Sequence, residues 1–246
     1  MRPLVALLVR PFTEILYGLE RCLVPGVTGL LRCFAGLAIG WWIYVPIHEL
    51  LHAFGCELGG GRVWRLELDP LYGGALLERW LHFVEAGGDY AGRLAGFDTG
   101  GSDVVHLMTT GLPFVLTIFP GVWWMRRGAR CGSGLVFGAA LVAATGPFLS
   151  LTGDAYEIGS LYAVQLAPWS SAGARAALVG DDAFVIASGL AGSASTATWL
   201  GFVLASTLAL AWAYAAWAVG AATATRLGQP PVEALARARQ RPRRDR

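Results

Sequence analysis

The chain has 246 residues, 55% hydrophobic and 15% charged, with 33 glycines, 10 tryptophans and a mean hydropathy of +0.52. A water-soluble domain is nearer a quarter charged, so the composition excludes a disordered chain, argues against a soluble enzyme and leaves a multi-pass membrane protein. The net charge of +2, with arginines dispersed except at the C-terminal end, gives no footprint for nucleic acid, and none is expected as a partner.

All 19 basic residues are arginine, and there is neither lysine nor asparagine. Both missing residues have AT-rich codons, which points to a GC-rich, bacterial genome and to its inner membrane as the location. Cys22, Cys33, Cys56 and Cys131 form no CxxC pair and have no metal-ligand spacing, so no disulfide or cysteine–zinc framework is expected.

Residues 1–27 carry Arg2, Arg10, Glu14, Glu20 and Arg21 between apolar clusters. The apolar run before Arg10 is too short for a secretory signal, and the segment reads as an amphipathic helix at a membrane surface. A spanning helix needs roughly 20 mostly apolar residues. Four runs qualify, near residues 33–54, 107–125, 135–151 and 199–225, within a membrane domain covering 28–226. Small residues on the last two (Gly138, Ala139, Ala143, Ala205, Ser206, Ala209) suit close helix packing in lipid.

Between the first two spans, Trp64, Leu66 and Leu68 alternate with Arg65, Glu67 and Asp69, the period of a strand with one apolar face. This small interfacial β segment is expected either to keep a free edge on which an unwound peptide adds as a strand or to form a simple interfacial hairpin. Leu76, Leu77, Trp80, Leu81 and Val84 have helical spacing and predict an amphipathic helix over 75–84. Residues 85–103, rich in glycine, read as an outer loop, and 168–196 as loop with short helices. The basic tail 227–246 is expected to be disordered, with arginines available to anionic lipid. The expected fold class is therefore a mainly α membrane protein with about four transmembrane helices and a small interfacial β segment between the first two.

Charge sets the expected orientation. Arg126, Arg127 and Arg130 fall between the second and third spans, seven arginines follow residue 225, and Arg2, Arg10, Arg21 and Arg32 precede the first span. The stretch 57–103 carries four arginines against eight acids, and 157–198 one against three. The positive-inside rule then places both termini in the cytoplasm and the acidic stretches outside.

At the outward end of the first span stands His48-Glu49-Leu50-Leu51-His52. Residues i and i+4 of a helix share a face, so both imidazoles can point at one metal ion, and imidazole suits zinc. Glu49 beside them is the expected catalytic base, activating a zinc-bound water. Ionisable groups within a span are costly and usually functional. A third ligand is needed, and Asp154, in Gly-Pro-Phe-Leu-Ser-Leu-Thr-Gly-Asp at the end of the third span, is the first candidate. The first and third spans run in the same direction, which brings Asp154 to the membrane face that holds the histidine pair. Glu157, three residues on, shares its helical face and is the rival. His82 and His106 read as solvated or capping histidines.

The sequence resembles the site-2 protease family of intramembrane zinc metalloproteases over roughly residues 33–160. The resemblance rests on the His48–His52 motif in a membrane helix, the glycine-flanked stretch from Leu58-Gly59-Gly60-Gly61 to Gly73-Gly74, and the Gly146–Asp154 stretch. It implies one zinc ion held by His48, His52 and Asp154, Glu49 as general base, and a membrane-spanning protein as substrate. Two features depart from the family pattern: Gly153 precedes Asp154 instead of following it, and no asparagine lies upstream. Ser150 or Thr152 would have to take over any role of that asparagine in holding substrate. Other readings are an inactive membrane scaffold of the same fold and a membrane metal hydrolase acting on a small substrate.

Overall fold

The computed structural model describes residues 2–166, 172–192 and 194–233. It is mainly helical, with ten α-helices among the described residues: α1 (Arg2–Cys22), α2 (Val27–Leu58), α3 (Gly74–Leu77), α4 (Asp103–Gly111), α5 (Val122–Cys131), α6 (Gly134–Leu149), α7 (Asp154–Leu166), α8 (Ala172–Leu178), α9 (Ala183–Leu190) and α10 (Thr196–Arg226). Three strands, β1 (Arg62–Leu68), β2 (Val84–Ala86) and β3 (Gly92–Asp98), lie between α2 and α4. Four helical runs are long and apolar enough to cross a membrane: Val27–Leu58, Asp103–Cys131, Gly134–Leu166 and Thr196–Arg226. Each contains one of the four predicted spans and extends beyond it.

Two of these runs are interrupted. In 103–131 a short 3-10 turn, Leu112–Phe114, and a π-helical stretch, Thr117–Gly121, separate α4 from α5. Pro113 and Pro120 lack the N–H that a regular helix needs at those positions, and Phe119 is extended (φ −160°, ψ 131°). In 134–166 the turn at 150–153 divides α6 from α7.

The described residues within Met1–Trp42, Leu116–Thr145 and Ala216–Arg246 form one compact unit. Here α1 buries Pro11, Glu14, Gly18 and Cys22, at helical spacing, while Val9, Phe12 and Leu16 stay exposed. Glu14 is inside while Leu7, Leu8 and Leu16 are outside, the reverse of a helix on a soluble domain. Glu14 accepts from Arg126 Nε at 2.7 Å and Nη2 at 2.8 Å, both side chains being fully buried. Arg126 Nη1 donates to the carbonyls of Ala221 and Gln229 and to Thr225 Oγ1 at 2.8–3.0 Å. Arg126 is thus no loop charge: α5 continues to Cys131, and the link to α6 is only Gly132 and Ser133. A β-carbon at Gly36 or Gly40 would run into the backbone of Leu135 or Ala139, so the small residues of α2 and α6 let the helices touch. Pro147 offers no N–H to the Ala143 carbonyl, and Thr117 Oγ1 donates to that carbonyl at 2.6 Å.

The second unit comprises Ile43–Val115 and Gly146–Ala215. It carries 13 of the 17 acids and five of the 19 arginines. Its sheet has the order β2-β1-β3, with β1 parallel to β2 over Leu66–Leu68 and antiparallel to β3 over most of its length. Val45 of α2 joins Leu66, Leu68 and Val84 in a buried cluster beneath the sheet. Irregular register on either side of Arg65 breaks the alternation, so Trp64 is 59% exposed while Leu66 and Leu68 are fully buried.

Three local expectations are corrected. The free edge expected along β1 is covered over Leu66–Leu68 by β2, β1 being the central strand of its sheet, and no strand pairs with 62–65 on that side among the described residues. The helix over 75–84 shrinks to the single turn Gly74–Leu77, since Val84 is drawn into β2 opposite Leu66. The loop over 85–103 contains β3, whose glycines hid its strand character. Near the other end of the unit, Val164, Leu178 and Leu190 form a cluster joining α7, α8 and α9. Ala183 N–H, at the start of α9, donates to the Thr152 carbonyl at 2.7 Å. Of the tail, residues from 234 onward lie outside the described residues.

Candidate metal centre

α2 carries His48, Glu49 and His52 near its C-terminal end, and the i, i+4 spacing turns both imidazoles to one side. Their Nε2 atoms stand 3.1 Å apart, with ring planes at 86°, and both residues are buried. Asp154 is the first residue of α7, immediately after the 150–153 turn. Its Oδ2 lies 3.1 Å from His48 Nε2 and its Oδ1 3.4 Å from His52 Nε2. Residues about 100 positions apart in sequence therefore present three donors to one point.

The spacing can be compared with what a metal needs. For zinc bonds of about 2.0–2.1 Å, the corners of a tetrahedron are about 3.3 Å apart. The two Nε2 atoms are 3.1 Å apart, and each faces its own oxygen of Asp154, His48 facing Oδ2 at 3.1 Å and His52 facing Oδ1 at 3.4 Å, so neighbouring donors lie close to that figure. Two imidazoles and a carboxylate are also a donor set that zinc accepts. The residues present thus fit the ion.

Glu49 belongs to the same cluster: His48, Glu49 and His52 each offer a ligand atom within 4.8 Å of the others. The Glu49 side chain lies against Gly92, the first residue of β3, where a β-carbon would collide with Glu49 Cγ. Gly92 is thus a site residue that the motif did not reveal. Its role is to leave room for the carboxylate between strand and helix.

A second unforeseen residue orients His52. His52 Nδ1 lies 2.8 Å from the Thr109 carbonyl of α4. A carbonyl can only accept, so Nδ1 carries the proton and the Nε2 lone pair faces His48 and Asp154. That carbonyl is open because its regular helical donor would be residue 113, which is proline. Gly55 permits the approach, since a β-carbon there would meet the Met108 carbonyl. The available sequence signal was Pro113 four residues after Thr109. On the other side, the Tyr44 ring lies 5.0 Å from that of His48.

Glu157 does not reach the histidine pair. It accepts from His106 Nε2 at 3.2 Å, so the first turn of α7 sends Asp154 to α2 and Glu157 to α4. His106 is therefore paired and only 13% exposed in its side chain, not a solvated histidine. His82 stacks edge-on against Phe83. All four cysteines are free thiols remote from this chemistry in role; burial pushes the Cys22 thiol up to about 12, so it is an inert core group.

Comparison of the chain with protein-family models, with curated proteins and with solved structures gives no match.

Proposed function

We propose that this chain is a zinc-dependent intramembrane endopeptidase, similar to the site-2 proteases, which hydrolyses a peptide bond of a membrane-spanning protein. One observation carries the reading: the His48 and His52 imidazoles meet each other and the Asp154 carboxylate at 3.1–3.4 Å, with Glu49 beside them. That spacing would be an odd outcome for three costly groups with only a packing role.

Zinc, when bound, supplies the Lewis acidity that acidifies a water molecule and polarises a carbonyl. His48, His52 and Asp154 would hold it. Thr109 fixes the His52 tautomer, an outer contact of the kind that orients metal ligands. Glu49 takes the proton of the attacking water and returns it to the leaving amine. Two neutral imidazoles and one carboxylate would not fully neutralise a divalent ion held there.

The membrane setting is supported by the four long apolar helices and by the apolar exterior of α1 and α2. Arg127 and Arg130 between the second and third spans, with the arginines near both termini, favour cytoplasmic termini; Arg126 no longer counts, being consumed by Glu14.

The test is cleavage of a single-span reporter by the purified full-length chain in nanodiscs. Cleavage is expected to stop on chelation and to return on adding zinc. A chain that holds zinc stoichiometrically and leaves the reporter intact would instead favour a hydrolase of small substrates.

A further inference from the structure

The helices that build the centre are tied to one another pairwise. α2 meets α4 through His52 and the Thr109 carbonyl, and α2 meets α7 through the two histidines and Asp154. The third side of this triangle, α4 to α7, is closed by His106 and Glu157 at 3.2 Å. Each member of that pair lies one turn from a member of the centre: His106 precedes Thr109 by three residues, and Glu157 follows Asp154 by three.

Asp154 needs such support. It opens α7 and has no helical turn before it, only the turn at 150–153. That turn is held by Gly153 N–H and Ala155 N–H, both donating to the Ser150 carbonyl, and by Ala183 N–H on Thr152. Further along α7, Gly159 lies against the backbone of Ala205 and Ala209 in α10 and Gln165 donates to Asp103 of α4, whereas Glu157–His106 is the polar contact to α4 within one turn of Asp154. A shift of that turn moves the Asp154 carboxylate away from both imidazoles together. A shift of α4 moves the carbonyl that holds His52.

We infer that His106 and Glu157 are positioning residues for the metal centre, holding the Asp154 carboxylate and the Thr109 carbonyl in register with His52. The inference rests on the zinc reading above, and goes beyond it in assigning a role to two side chains outside the ligand set. An ion pair that merely stabilised the fold would lower the melting temperature and leave the affinity of the folded protein for zinc unchanged. A positioning pair changes that affinity.

The experiment is competition titration of zinc against a chromophoric chelator, on the full-length chain in detergent. Glu157→Ala and His106→Ala are expected to weaken zinc binding by about 10–100-fold, the usual cost of losing an outer contact. Glu157→Gln keeps an acceptor for the imidazole and is expected to bind close to wild type. Asp154→Asn, which removes a ligand, sets the scale of a larger loss. Should the alanine variants not fold, His106→Phe, which keeps a ring against Phe97 (6.4 Å between centroids), carries the same expectation.

Unchanged affinity in the folded variants overturns the inference while leaving the zinc reading intact. A loss in Glu157→Gln as large as that in Asp154→Asn also overturns it, by making Glu157 a ligand. A wild-type chain that binds no zinc removes the metal reading, and the inference falls with it.

Discussion

Glu49→Gln is expected to lower reporter cleavage by about 10²–10⁴-fold, the range over which a positioned general base contributes, while zinc content stays at the wild-type level. The amide has nearly the shape of the carboxylate, so the place of the side chain beside Gly92 is kept. Only the capacity to take a proton is lost. On the proposed ligand set of His48, His52 and Asp154, the substitution leaves all three ligands in place. Paired measurements of kcat/KM and of bound zinc decide the matter. Wild-type cleavage in this variant would remove Glu49 from the mechanism, and loss of zinc would make it a ligand.

Arg126→Ala is expected to destabilise the fold by about 3 kcal/mol, the low end of the cost of breaking a buried ion pair, since Arg10 Nε, 3.4 Å from Glu14 Oε1, stays as the second and partly exposed partner of Glu14. Both Glu14 and Arg126 are fully buried, and the guanidinium also serves two main-chain carbonyls and Thr225. The pair replaced as a whole, Glu14→Leu with Arg126→Met, is expected to recover most of the loss, since no uncompensated charge remains. Thermal unfolding of the three variants in one detergent reads the effect. A single Arg126→Ala variant as stable as wild type would show that Glu14 finds other compensation.

Much of this architecture was legible because helices able to cross a membrane write themselves as long apolar runs and because an i, i+4 histidine pair shares one helix face. Asp154 was reachable by a further step, that two spans of like direction end at one face. The structure adds that Glu157, on the same turn, is diverted to His106. The sites that escaped reading are those whose chemistry is not in a side chain. Thr109 acts through its carbonyl, and Gly92 acts by having no β-carbon.

Errors arose where local pattern and long-range pairing disagree. Arg126 lies at a helix end beside two other arginines and reads as a topology signal, yet its partner is 112 residues away in sequence. Val84 fits a helical stripe, but pairing with Leu66 gives it a strand conformation. The alternation over 63–69 identified β1 correctly, whereas nothing in that alternation tells a central strand from an edge, because the neighbours decide it.

The central claim is that His48, His52 and Asp154 hold one zinc ion, and elemental analysis of the purified full-length chain tests it most directly. One zinc per chain is expected in the wild type and in Glu49→Gln, with loss of the metal in His48→Ala, His52→Ala and Asp154→Ala. A folded wild-type chain that carries no zinc and takes up none when it is offered would contradict the account.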